Sequence, residues 1–133
     1  MLVELDYEKG DIPFIANKWV QKVNLKDSTS ADVEKGDILN YNTDGFDPED
    51  DPEDDHAVVV ALEEGSDDDD IKAMISGVIA VELDDTNQDF DTGDMVEYSE
   101  GILDSDSANT GKASNAVVLH LDTEDDVAII RLW

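Results

Sequence analysis

The chain has 133 residues, enough for one modest core, and its 8 Lys+Arg against 36 Asp+Glu leave a formal net charge of −28. That balance excludes ordinary nucleic-acid binding, which rests on Lys and Arg neutralising phosphates; beyond residue 35 only Lys72, Lys112 and Arg131 are basic. Cysteine is absent, so disulfides, thiolate metal sites and cysteine nucleophiles are excluded too.

Short Val/Ile/Leu runs separated by acidic stretches predict strands with solvated connections, and period-2 alternation outnumbers helical patterns. MLVELDY (1–7) alternates, and its N-terminal setting lacks the basic and apolar regions of a signal peptide. KWVQKVNLK (18–26) places Trp19, Val23 and Leu25 opposite Lys18, Lys22 and Lys26. DILNY (37–41) and HAVVVALE (56–63) follow; 57–62 is the longest apolar stretch, far too short for a membrane span. IKAMISGVIAVEL (71–83) reads as a strand broken near Gly77, with 71–77 as the one helical candidate. DMVEY (94–98), NAVVLHL (115–121) and VAIIRLW (127–133) complete the set. Lys9-Gly10-Asp11, Asp44-Gly45, Glu100-Gly101 and Thr110-Gly111 are turn chemistry.

Three blocks recur in the same order. KGDILNY (35–41) matches TGDMVEY (92–98) at an offset of 57, HAVVVAL (56–62) matches NAVVLHL (115–121) at 59, and DIKAMI (70–75) resembles DVAIIRL (126–132) at 56. The expected fold is therefore all-β, a small barrel or sandwich with two pseudo-repeated β units. Residues 1–133 are expected to form one β domain, with 1–30 as a contact segment and 31–133 as the core.

The charge itself points to an environment. Screening lengths fall to about 3 Å at 1 M salt, so brine silences repulsion that would strain this chain in dilute buffer. Hydrophobic residues at 40 % argue against whole-chain disorder. Residues 1–35 carry five Lys and seven acids, while the remainder carries a net −26. Low charge with aromatic enrichment is the composition of an interface core, so Ile12, Phe14, Ile15, Lys18, Trp19 and Lys22, with Trp133 at the other end, are the candidate partner contacts.

Chemistry has less to stand on. DPEDDPEDD (47–55) and SDDDD (66–70) offer oxygen ligands but lack the spaced calcium-loop pattern, and Pro48 and Pro52 suit an extended solvated loop. His56 and His120 fall in strand runs outside any metal or nucleophile motif and read as solvated imidazoles. The Gly36-Asp37 and Gly93-Asp94 pairs read as turns entering strands. No catalytic residue, metal site or cofactor is expected.

From about residue 30, the Val-x-Lys-Gly-Asp-Ile-Leu strand (33–39), the Ala-Val-Val-Val strand, Ser-Gly-Val-Ile-Ala-Val-Glu-Leu (76–83), Thr-Gly-Asp-Met-Val-Glu-Tyr (92–98) and the closing hydrophobic-Arg-Leu strand resemble the head-decoration (capsid cement) proteins of tailed viruses. With the acid coat, the resemblance suits a tailed virus of halophilic archaea. It implies a β-rich protein on the outer capsid surface, made in the host cytoplasm and binding the major capsid protein as a homotrimer, without membrane, nucleic acid or turnover. The N-terminal 30 residues fall outside the resemblance. A halophilic cellular β-barrel module for a small ligand or protein is the alternative, and a carboxylate-based hydrolase a third reading.

Overall fold

Valine and isoleucine crowd the backbone with branched side chains and fit a pleated surface. The computed structural model accordingly is built of strands, with no helix among the described residues: 9–10, 18–25, 32–42, 45–48, 55–66, 69–106 and 110–133, with the backbone alone for 41, 42, 55 and 56. The strand expected over 1–7, and Ile12, Phe14 and Ile15, lie outside the described residues.

The strands are β1 (Trp19–Asn24), β2 (Ile38–Asn42), β3 (Gly45–Asp47), β4 (Asp55–His56), β5 (Val58–Ala61), β6 (Asp70–Glu82), β7 (Met95–Ser99), β8 (Ile102–Leu103), β9 (Gly111–Asp122) and β10 (Val127–Leu132). They form one curled sheet in the order β3-β2-β5-β6-β10-β9-β7-β8, with β1 added to β6 and β4 to β9. Every strand pairing is antiparallel except β4 with β9. Parallel bridges from Leu25 to Phe46 and from Leu83 to Leu103 draw the sheet's edges inward.

The expected break near Gly77, and the helical candidate over 71–77, are both corrected: β6 runs unbroken through 70–82. What changes at Gly77 is the partner. Residues 70–76 pair with β1 and 77–82 with β10, and Gly77, at φ 138, supplies the bend that a β-carbon would resist.

That handover divides the chain into two units, β1-β2-β3-β5 with the first half of β6, and the second half of β6 with β7-β8-β9-β10. Their hydrogen bonds correspond at a constant offset of 57. Gly36 N donates to Ala61 O at 2.7 Å and Gly93 N to Val118 O at 2.7 Å; Ala61 N donates to Asp37 O and Val118 N to Asp94 O. Ile38 faces Val60 as Met95 faces Val117, and Ala61 faces Ala73 as Val118 faces Ile130. The offsets of 59 and 56 expected for the second and third blocks are therefore corrected to 57. A slip of two leaves every side chain on its own face, and the second copy of the third block, in β10, has three consecutive buried residues, Ala128, Ile129 and Ile130, so its pattern does not fix the register.

The cores correspond as well. Leu39, Phe46, Val59 and Ala61 line the first, and their counterparts Val96, Leu103, Ala116 and Val118 line the second. Ile71 and Ala73 in the first become Ala128 and Ile130 in the second, the same two side chains exchanged, which conserves volume across the layer. Equivalent residues also meet, as an approximate internal twofold requires. Asp55 lies beside Lys112 and His56 beside Ala113 in β4 and β9, and Asn115 holds its counterpart Val58 through both backbone groups, at 2.8 and 2.9 Å.

Between the units, Asp84 caps its loop by accepting the Thr86 and Asn87 amides, both at 2.9 Å. The Asn87 and Thr86 amides hold its carboxyl below the ordinary carboxylate value. Its contribution is complete above the ordinary value and lost as pH falls through the lowered one. Asp84→Asn should therefore show a smaller loss of stability between pH 5 and pH 2 than the parent, read as urea midpoints.

Candidate partner-binding surface

The Gly-Asp turns entering β2 and β7 have the same construction. Glu34 N donates to Asp37 Oδ2 and Asp91 N to Asp94 Oδ2, each at 2.8 Å, with Gly36 at φ 91 and Gly93 at φ 95. This agrees with the reading of both pairs as turns. Among the described residues, only the first turn carries a strap. Lys9 Nζ lies 2.6 Å from Asp37 Oδ1 and 3.2 Å from Glu34 Oε2, and Gly10 N donates to Ala80 O at 2.7 Å. Lys9, read in the sequence only as part of a turn, is thus largely covered.

Burial opposes the Lys9 charge, but the hydrogen bond and charge of Asp37, then Glu34, outweigh it and hold the ammonium above its ordinary value. Burial raises Asp37, and Lys9 and the Glu34 amide offset only part of that. A β-carbon at Gly36 would lie 2.3 Å from Lys9 Cγ and 2.8 Å from Gly10 N, whereas one at Gly93 meets nothing within 4 Å. Gly93→Ala should cost about 1 kcal/mol, the conformational penalty alone, and Gly36→Ala clearly more, because it also displaces the strap; urea unfolding of the two variants checks this.

Within 1–30 the described residues are the strap at 9–10 and 18–25, which include β1. Lys18, Trp19 and Lys22 are all exposed, Trp19 at 57 %. Trp19 was expected to share a face with Val23 and Leu25. Those two are buried, but a register shift between Trp19 and Val20 turns Trp19 out of their row. β1 begins opposite Ser76, β10 ends with Leu132 opposite Gly77, and Ser76 Oγ donates to Leu132 O at 3.4 Å. Trp133, 54 % exposed, follows directly, and Lys18 Cβ lies 3.3 Å from the position of a β-carbon on Gly77. The structure therefore gathers Lys18, Trp19 and Trp133 around the β6 bend, with Lys22 four residues further along β1.

Sequence reasoning missed Met95 and Leu119, the other large exposed apolar side chains among the described residues, at 42 % and 37 %. Both sit in strand runs that read as core. The reading of 47–55 as a solvated loop is corrected at its start, because Asp47 closes β3 and is buried. Residues 49–54 and 67–68 lie outside the described residues. His120 is exposed, as expected. Among the described residues no group of three His, Asp or Glu is arranged to hold a metal ion. An open groove of about 400 Å³ lies between Phe90, Met95, Asp89, Asp94, Glu97, Ser105 and Lys112.

No family model matches the sequence, and no curated protein matches it. The fold has a counterpart. A chain in the solved structure "The capsid of Myoviridae Phage XM1" is similar at a TM-score of 0.62 and 14 % identity, over 98 % of this chain and 93 % of that one. At that identity the likeness is one of fold: an all-β architecture shared along nearly the full length of both chains.

Proposed function

We propose that this chain is a structural virion protein that decorates and stabilises the outer surface of an icosahedral capsid by binding major capsid protein subunits in high salt. The observation that carries the reading is the fold held in common with a capsid chain over nearly all of both sequences. The acid coat supports the setting, since a net −28 keeps a particle soluble in brine and suits a virus of halophilic archaea. Residues 1–133 act as one β domain, because β6 belongs to both units. Its 1–30 segment, with Lys18, Trp19, Lys22 and Trp133, forms the contact with the shell, and Ile12, Phe14 and Ile15 belong to that segment by sequence. Three copies form a homotrimer set by the shell's threefold symmetry, which multiplies weak contacts into avidity.

Co-sedimentation with empty shells of the parent virus in about 2 M KCl tests the reading. The chain should pellet with shells and saturate at a fixed ratio to the major capsid protein. Trp19→Ala combined with Trp133→Ala should weaken binding at least tenfold, as expected for exposed aromatic anchors. Absence of co-sedimentation at every salt concentration would contradict it.

A further inference from the structure

Directly paired residues of an antiparallel sheet share a face. Met95 pairs with Val117, Val117 with Arg131, and Arg131 with Val78, so these four form one row across β7, β9, β10 and β6. Trp133, two residues beyond Arg131 and joined to β9 through its amide to Asn115 O at 3.0 Å, continues that face. Leu119, two residues beyond Val117 at the β9 irregularity, borders it from the other side. Three of the four large exposed apolar side chains among the described residues thus lie on one sheet face, and the fourth, Trp19, begins β1 at its Trp133 end.

The internal repeat shows what this face is for. Its counterpart row in the first unit is Ile38, Val60 and Met74, paired in the same way, and all three are fully buried in the larger core. The first unit packs this row inside the chain; in the second, Met95 and Arg131 are exposed and Val117 is half-buried, while Val78 at the β6 end is buried in a small cluster with Ala80 and Ile129. Arg131 is the one charged member of the Met95–Val117–Arg131–Val78 row, on a chain with 36 acids, and Asp89, Asp94 and Glu97 line the groove at the row's Met95 end. Large apolar side chains grouped in solvent are the character of an interface core.

We infer that this face of β7, β9 and β10 docks on the shell, against an apolar patch bordered by carboxylates on the major capsid protein. Arg131 at the centre and Lys18 at the Trp133 end supply the complementary charge. A second copy fits less well. Among the described residues three of its four large exposed apolar side chains are on this same face, so pairing would be face to face, with the Arg131 and Lys18 charges of both copies in one interface. The inference rests on the proposed capsid role and adds the surface and the chemistry it meets.

The test uses shells stripped of this chain, in 2 M KCl. Met95→Glu with Leu119→Glu should weaken binding at least thirtyfold and Arg131→Glu at least tenfold, while Glu124→Lys, on the exposed turn before β10, binds like the parent. In the unmodified chain, peroxide oxidation of Met95 should slow at least fivefold on shells, a readout independent of whether the variants fold. Parent-like binding by the variants with unprotected Met95 would overturn the docking face and leave the capsid role standing, whereas a parent chain that never binds shells would overturn both. Light scattering of the free chain should give a monomer; a dimer abolished by Met95→Glu would reassign the face to a second copy.

Discussion

Asp37→Ala should destabilise the protein by about 3 kcal/mol, and Asp94→Ala, at the equivalent position of the second unit, by about 1 kcal/mol. Both carboxylates cap a turn by accepting the amide three residues back, so the shared part of the cost is one hydrogen bond. The difference is the strap. Asp37 is 6 % exposed and paired with Lys9 at 2.6 Å, and its removal leaves a half-covered ammonium with Glu34 alone, whereas Asp94 is exposed. The pair is short and partly buried, so salt screens it weakly and the gap should persist in 2 M KCl. Equal costs for the two variants would remove the strap from the account.

The pH dependence has a definite sign. Lys9 is raised above its ordinary value, so its contribution is complete below that value and is lost as pH climbs through the raised one. Asp37 is raised too, by burial, so protonation favours the folded state and acid costs nothing through this group. The pair's loss therefore falls on the alkaline side, and urea midpoints above pH 10 should drop less steeply in Asp37→Ala than in the parent.

The largest solution effect should come from salt. With a net charge of −28, lowering KCl from 2 M to 0.05 M lengthens screening from a few ångströms to more than 10 Å, and repulsion across the whole surface returns. The chain should be folded and cooperative at 2 M and largely unfolded at 0.05 M, with the far-ultraviolet strand signal and the exchange protection of β6 and β10 lost together. Stability that is flat or falling with added salt would contradict the proposed brine setting and leave the fold untouched.

The strands were legible because Val- and Ile-rich runs bounded by Gly-Asp turns have few alternatives at this length. β2, β5, β7, β9 and β10 fall within a few residues of the runs that announced them. The repeat was legible in its order and in the register of its first block, at 57, but not in the other two, where similar apolar runs favoured 59 and 56 until the amide bonds of Gly36 and Gly93 fixed 57 throughout. The proposed contact surface was half legible. Trp19 and Trp133 drew notice as rare aromatics near lysines, and the fold gathers them at the β6 bend. Met95 and Leu119 were hidden because a methionine or leucine in a strand reads as core, and its exposure depends on what covers that face. Ile38 and Met95 open equivalent strands with similar side chains, and only the fold shows one buried and the other in solvent. The Lys9 ion pair was hidden for the complementary reason, since the carboxylate that captures it lies 28 residues away, beyond any local pattern.

The central claim is a place on a particle, so an image of the particle tests it most directly. Electron cryomicroscopy of shells saturated with the chain in 2 M KCl should show copies on the outer surface, around threefold positions, with the β6 bend and the β7-β9-β10 face against the shell and the acidic turns outward. Density confined to the interior or the tail, or outer density with the acidic turns facing the shell, would contradict the account.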